Sequence, residues 1–232
     1  MKMITALTVA GLWLFPIAGF GAVPGQQDSG DRTVVAPSAP RSPGLHALYY
    51  WDSRKNNTLS LFYSSRNLPH GLVFWGFTDF DSAQHSTAQQ YDLSTFFTEA
   101  RLARMFGHGF GIQAEFNGAT GAGNDVGRVG AVFKFPLKRH FLMLRVFPLE
   151  TDGDGGQLSA VWRLRIGARL MFEGFVDYNV REGRADRTVF EPQVRFMFTQ
   201  QLGLALEYRH NEFLRGTSKD DKGAAIGLYY DF

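Results

Sequence analysis

The sequence predicts an all-β protein, an antiparallel up-and-down transmembrane β-barrel of twelve strands. Three observations predict it. From Gly223 to Phe232, Ala224, Ile226, Leu228, Tyr230 and Phe232 form an apolar row at period two, while Gly223, Ala225, Gly227 and Asp231 occupy the other row. A strand with one oily face and one wet face, stopping on an aromatic, is what an outer-membrane barrel presents to lipid and to its interfacial girdle. In strand after strand the ions fall opposite the large apolar side chains. A soluble barrel would have to bury those ions dry, at several kcal/mol for each unpaired one. Finally, short and long connections alternate, as in barrels with tight turns on one side of the membrane and longer loops on the other.

The segment before the barrel reads as export. Met1 and Lys2 form a basic start, Ile4 to Ile17 is mostly apolar, and Gly19-Phe20-Gly21 has the small-x-small pattern of a cleavage site. A signal peptide over 1–21 is expected, since Pro16 interrupts a run that barely reaches spanning length. Residues 22–44 are rich in Pro, Gly, Ser and Gln, with little to bury, and read as a disordered periplasmic tail. The barrel then occupies 45–232. A chain of 232 residues without Cys suits one domain with no disulfide framework, and a net charge of +2 argues against a nucleic-acid partner. The 22 Phe sit in a chain of mean hydropathy −0.16, the balance an alternating barrel produces. No stretch supplies the ~20 consecutive apolar residues of a spanning helix, which leaves closed strands as the way to satisfy a backbone in lipid. The expected location is the outer membrane of a Gram-negative-type bacterium after leader removal. Its expected partners are outer-membrane lipid and the barrel-assembly machinery, engaged through the strand ending on Phe232.

The strands are expected at 46–52, 57–64, 71–80, 93–105, 110–118, 126–136, 140–149, 157–166, 169–179, 188–198, 203–211 and 223–232. The first is the least sharply patterned. The second puts Phe62 inward. In the third, Val73, Trp75 and Phe77 compete with Leu72, Phe74 and Phe80 for the lipid face. The fourth turns Phe97, Glu99 and Arg101 inward. The fifth alternates Phe110, Ile112, Ala114 and Phe116 with Gly111, Gln113, Glu115 and Asn117. The sixth carries Arg128 inward, the seventh Arg145 and Phe147. The eighth sets Leu158, Ala160, Trp162, Leu164 and Ile166 against Ser159, Val161, Arg163 and Arg165. The ninth points Glu173, Phe175 and Asp177 inward. In the tenth, Phe190, Pro192, Val194, Phe196 and Phe198 alternate with Glu191, Gln193 and Arg195. Pro192 lacks the ladder N–H, so a bulge or bend is expected there. The eleventh sets Leu204, Leu206 and Tyr208 against Ala205, Glu207 and Arg209. In the twelfth, Tyr229 is the one large residue on the wet face.

Catalytic and metal chemistry find little support. Ser82, His85 and Ser86 lie in an expected outer loop near Asp79 and Asp81, but nearness in sequence does not make a triad. The six His are scattered without ligand spacing, so no metal and no cofactor is expected. Thr151-Asp152-Gly153-Asp154-Gly155-Gly156 alternates acidic oxygens with Gly, yet lacks the later acidic partner of a calcium loop and reads as a solvated turn. Gly118 to Asp125 is Gly-rich but precedes no helix, so it is turn chemistry and not a phosphate cradle.

Gly174-Phe175-x-Asp177-Tyr178, Glu191-Pro192-Gln193, Glu207-Tyr208-x-x-Asn211-x-Phe213 and the terminal Phe232 resemble the nucleoside-specific channel-forming (Tsx-type) outer-membrane porins. Trp75-Gly76-Phe77-x-Asp79 and Phe97-x-Glu99 are similar further upstream. The resemblance implies a monomeric twelve-stranded barrel with a narrow lumen that takes up nucleosides passively. Lumen aromatics flanked by ionisable groups would stack the base and hold the sugar. The expected lumen set is Phe97, Glu99, Arg101, Glu115, Arg128, Arg145, Phe147, Arg163, Glu173, Phe175, Asp177, Glu191, Arg195, Glu207, Arg209 and Tyr229, with Phe62 among the inward aromatics. The expected function is passive diffusion of small polar solutes, with no enzymatic activity. The alternatives are a barrel enzyme acting on lipid and a closed barrel with a structural or adhesive role.

Overall fold

The structure is a computed structural model that describes residues 44–83, 95–120, 125–151, 155–216 and 220–232. The expected leader, the expected tail up to residue 43, His85, Ser86, Asp152, Asp154 and the middle of the Gly-rich stretch lie outside the described residues, while Gly44, expected to end the tail, is the first residue of a strand. Twelve strands follow one another around a single closed barrel. They are β1 (Gly44–Asp52), β2 (Asn56–Leu68), β3 (Leu72–Ala83), β4 (Thr95–Met105), β5 (Phe110–Ala119) and β6 (Val126–Lys134), then β7 (Phe141–Glu150), β8 (Gly155–Ile166), β9 (Leu170–Arg181), β10 (Arg187–Met197), β11 (Leu202–Asn211) and β12 (Lys222–Asp231). Every strand pairs antiparallel with its sequence neighbour. β12 closes the ring on β1 in a register running from His46 opposite Asp231 to Asp52 opposite Ala225. Each expected strand is present. The largest shifts of boundary are extensions of β2 and β3 at their paired ends, where the ladder carries the chain past the apolar alternation.

The wall is turned inside out. On β5, Ile112 is 55% exposed, whereas its neighbours Gln113 and Glu115 are 4% and 3% exposed. Leu158, Leu206, Ile226 and Leu228 are likewise exposed, while Ser159, Arg209 and Ala225 on the other faces are buried. Period-two alternation explains this, because neighbouring side chains of one strand cannot share a face. Aromatic pairs stand at the ends of the outer wall: Tyr230 with Phe232 at 5.0 Å, and Tyr49 with Trp51 at 4.9 Å. Among the described residues no helix is long and apolar enough to cross a membrane, and the spanning elements suited to lipid are the strands.

The connections after β2, β4, β8 and β10 are tight, and with 135–140 they define a turn side that also holds the start of β1. The opposite, loop side has the segments around 84–94, 120–125, 182–186 and 212–221. The short 53–55 and 151–154 connections also fall on the loop side, so the alternation of lengths is a tendency with those exceptions.

One apolar cluster lies inside, where the ring closes. Leu48 and Tyr50 of β1 pack with Ala205 of β11 and with Ala225 and Tyr229 of β12, and Phe62 and Met197 pack against them.

The two strand prolines are accommodated differently, and this corrects the sequence reading. No register shift occurs at Pro192. β9 and β10 stay in register through Glu191–Phe175, Pro192–Gly174 and Gln193–Glu173. On the other side, the β11 ladder omits Glu191 and Pro192 and resumes in the same register at Gln193–Glu207. The proline is absorbed by its partner instead. Gly174 has φ +154°, and a Cβ there would stand 2.5 Å from the Glu191 carbonyl oxygen and 2.8 Å from Pro192 Cα. A bulge occurs instead at Pro148, between the pairs Val129–Leu149 and Ala131–Val146, besides a second register shift between Ser65 and Leu68 in the β2–β3 ladder. Pro148 and Leu149 both face out, while Phe147 and Glu150 face in. Gly130 allows the close approach, since a Cβ there would lie 2.0 Å from the Val146 oxygen. Replacing Gly174 with alanine should therefore destabilise the barrel by about 1–3 kcal/mol, through steric crowding and an unfavourable φ. A lowered thermal unfolding midpoint in detergent would show it, and an unchanged midpoint would contradict the tight Gly174–Pro192 contact.

Candidate functional site

The inward rows of β1–β4 and β8–β11 enclose a chamber of about 160 Å³ within the barrel. Its two walls differ in chemistry. On β1–β3 the wall is aromatic: His46 stacks on Phe62 at 4.8 Å, Phe62 meets Phe77 at 5.7 Å, and Trp75 meets Phe77 at 5.7 Å. These rings share a face because the registers align His46 with Phe62, and Phe62 with Phe77. On β9–β11 the wall is polar and ionic, with Glu173, Glu191, Gln193, Arg195, Glu207 and Arg209.

Most of these ions are already engaged. Glu207 accepts hydrogen bonds from Tyr50 Oη at 2.6 Å, Arg209 Nε at 2.6 Å and Gln193 Nε2 at 3.2 Å. Gln193 also donates to the Tyr50 hydroxyl oxygen. The Arg209 guanidinium continues to Asp52 and Thr58, both at 3.2 Å, and covers the Tyr50 ring at 4.4 Å. Glu173 is shared by Arg163 at 2.6 Å and Arg195 at 2.8 Å. Two carboxylates are different. Among the described residues Glu191 makes no side-chain hydrogen bond or ion pair, and Asp79 Oδ1 has no hydrogen-bond partner. The chamber thus offers a stacking surface and, at Glu191, a carboxylate without a protein partner among the described residues.

The second half of the expected lumen set has a different setting. Arg101 joins Glu99 at 2.5 Å and Glu115 at 2.7 Å. Arg128 then joins Glu115 at 3.1 Å and Glu150 at 2.9 Å. This ladder of charges crosses β4 to β7 with Glu115 and Arg101 buried. Beside it, Arg145, Ser159 and Asp177 lie in one cross-strand row. Each of the three has a buried polar atom without a protein partner, and Phe147 is fully buried nearby on β7. Of the sixteen expected residues, Glu99, Arg101, Arg163, Glu173, Phe175, Glu191, Arg195, Glu207 and Arg209 line the chamber. Glu115, Arg128, Arg145, Phe147 and Asp177 do not line it. Phe97 stands behind Phe77, ring to ring at 5.8 Å, and Tyr229 lines a second cavity nearer the turn side.

Sequence reasoning missed His46, Tyr50 and Asp79 as lumen residues, and left Trp75 and Phe77 undecided. The period-two phase of β1, with Leu48 between His46 and Tyr50, was the available signal for the first two. Ser82 and Asp81 are adjacent on β3 and so belong to opposite faces, which removes the simplest Ser/Asp pairing for an enzyme.

On the loop side, Glu212 Oε2 accepts from the Thr188 backbone N–H at 2.8 Å and Oε1 pairs with Arg215 at 2.8 Å. The Thr188 N–H, then Arg215, hold its carboxyl below the usual glutamate range, which is about 4.3. A depressed folded-state pKa stabilises above the unfolded value and loses that contribution as pH falls through the folded value. Hydrogen-exchange protection of the Thr188 amide should be flat from pH 7 down to the ordinary glutamate range and then fall. In Glu212→Gln the pH dependence should vanish, and its persistence would assign it to another group.

No protein-family model and no curated protein matches the sequence. Solved structures do. A NanC porin in a rhombohedral crystal form matches with TM-score 0.54 at 10% identity, over 81% of this chain and 98% of that one. A KdgM porin matches with TM-score 0.52 at 13% identity, over 82% and 99%. A KdgM porin in complex with disordered oligogalacturonate matches with TM-score 0.51 at 12% identity, over 82% and 99%. The chain has a porin-type barrel fold.

Proposed function

We propose that the protein is an outer-membrane channel for passive diffusion of small polar solutes, and that nucleosides are the class it favours. The observation that carries the solute class is the chamber: rings of His46, Phe62, Phe77 and Trp75 along one wall, with the carboxylate of Glu191, unpaired among the described residues, on the other. A base would stack on the rings, at ~1–3 kcal/mol per base, and its N–H and hydroxyl groups would donate to the carboxylate. The apolar outer wall and the likeness to porin barrels support the membrane setting. On this reading the turn side is periplasmic, the barrel is monomeric, and the strand ending on Phe232 is the one offered to the assembly machinery. An oligogalacturonate-like polyanion finds no excess of positive charge in the chamber, because the guanidiniums of Arg101, Arg163, Arg195 and Arg209 are matched by Asp79, Glu99, Glu173, Glu191 and Glu207.

Planar-bilayer recording tests the proposal. Purified protein should conduct ions, and adenosine or uridine should reduce the current at concentrations where glucose does not. Equal effects of sugar and nucleoside would sink the solute class. Absence of conductance would leave a closed structural barrel, and fatty-acid release from phospholipid, lost in Ser82→Ala, would make the protein an enzyme.

A further inference from the structure

Below the chamber, at the turn side, a larger cavity of about 670 Å³ opens between the start of β1 and the β8–β9 and β10–β11 turns. His46, Arg163 and Arg195 line both cavities, so they form the neck between them. The charge of this vestibule is one-sided. Arg163, Arg165, Arg169 and Arg195 line it, against a single lining carboxylate, Asp231. Glu173 above the neck balances one of the two guanidiniums it holds. Arg165 and Arg169 are exposed and make no ion pair among the described residues. Arg195 adds a second sign. It is 5% exposed, with Nη2 on Glu173 and its guanidinium 4.0 Å over the Tyr229 ring, yet its Nε has no partner.

We propose that the preferred solute is a flat ring carrying one anionic group, with the ring on the aromatic wall of the chamber and the anion among the vestibule arginines. The inference rests on the chamber reading given above and extends it to the anion. Guanidiniums suit the task, because their planar fork of donors matches carboxylate and phosphate oxygens. A recess lined by one sign of charge also concentrates the opposite ion at its mouth. A bare polyanion gains from the vestibule but finds no such excess of guanidiniums in the chamber, where the arginines are matched by carboxylates. A neutral ring with a single charged end meets each compartment with the complementary part of itself. A nucleoside monophosphate is the simplest probe with that build.

The experiment compares adenosine, adenosine 5′-monophosphate and inorganic phosphate as blockers of the ion current, each added on the turn side. The nucleotide should half-block at a concentration roughly tenfold below that of adenosine, which is one decade of affinity. In Arg165→Gln/Arg169→Gln that ratio should fall toward one; both side chains are exposed and without ion pairs among the described residues, so the variant should fold. A ratio near one in the unaltered protein, or a ratio that survives the double substitution, overturns the proposal while leaving the nucleoside reading intact. If adenosine has no effect and phosphate alone blocks as well as the nucleotide, the chamber reading fails and this proposal fails with it.

Discussion

Replacing Arg101 with methionine should lower the free energy of unfolding by about 3–5 kcal/mol, the usual consequence of removing one partner from a buried ion pair. Arg101 stands between Glu99 and Glu115, which are 5% and 3% exposed. Without the guanidinium, Glu99 loses its only ion pair among the described residues, and Glu115 keeps Arg128 alone. The carboxylates cannot turn toward solvent, because the strand alternation fixes them inward. The cost is one of stranded charge, so it should be recoverable. Adding Glu99→Gln and Glu115→Gln to Arg101→Met should restore a large part of the loss, since an uncharged core of similar volume is often as stable as the ionic one. Denaturant titration in detergent micelles would follow both variants. A single variant that unfolds at the unaltered midpoint would show that the lumen side of this ladder is wet enough to make the ions cheap. A triple variant no better than the single one would show that Arg101 contributes by packing on Trp75, over which it lies at 4.9 Å.

The second large effect is on binding. Phe62→Ala with Phe77→Ala removes the middle of the aromatic wall and should raise the half-blocking concentration of adenosine by about 5- to 150-fold, the loss of one base-stacking contact. Unblocked ion conductance should rise at the same time, because the two rings also fill lumen. These opposite changes separate a binding wall from a plug. If conductance rises while adenosine blocks as before, the rings only fill space. Phe62 also packs against the apolar cluster at the ring closure, so a Phe77→Ala single variant gives the cleaner comparison should the double variant assemble poorly.

Much of this architecture is legible in the chain, and the exceptions have physical reasons. β5, β8, β11 and β12 declare their faces, because large apolar residues alternate with ions or glycine. β3 does not, since its inner face carries Trp75 and Phe77 and its outer face carries Gly76 and Thr78. That outer face is polar only locally. Tyr63 lies over Gly76, and its hydroxyl reaches Thr78 at 3.4 Å and Thr98 at 3.3 Å, so a patch of side chains bonds to itself. Cross-strand covering of this kind is invisible to a single-strand pattern. The bulge is a similar case. Both Pro148 and Pro192 break a ladder in principle and both face a glycine on the partner strand, Gly130 and Gly174, yet the register shifts only at the first. For the site, alternation tells which residues turn inward but not which of them leave a void. Arg145 and Glu191 look alike in sequence. One is buried in the crowded β7–β9 rows and the other looks into the chamber.

The apolar knot at the ring closure has a mechanical consequence. Tension on the two ends of the barrel domain loads the β1–β12 junction first, which in a plain ribbon cylinder would be its seam. Here Leu48, Tyr50, Ala225 and Tyr229 clasp that junction from within. A pulled molecule should then hold at that junction until the inner clasp gives way, so that the cylinder opens in one abrupt step and not rung by rung.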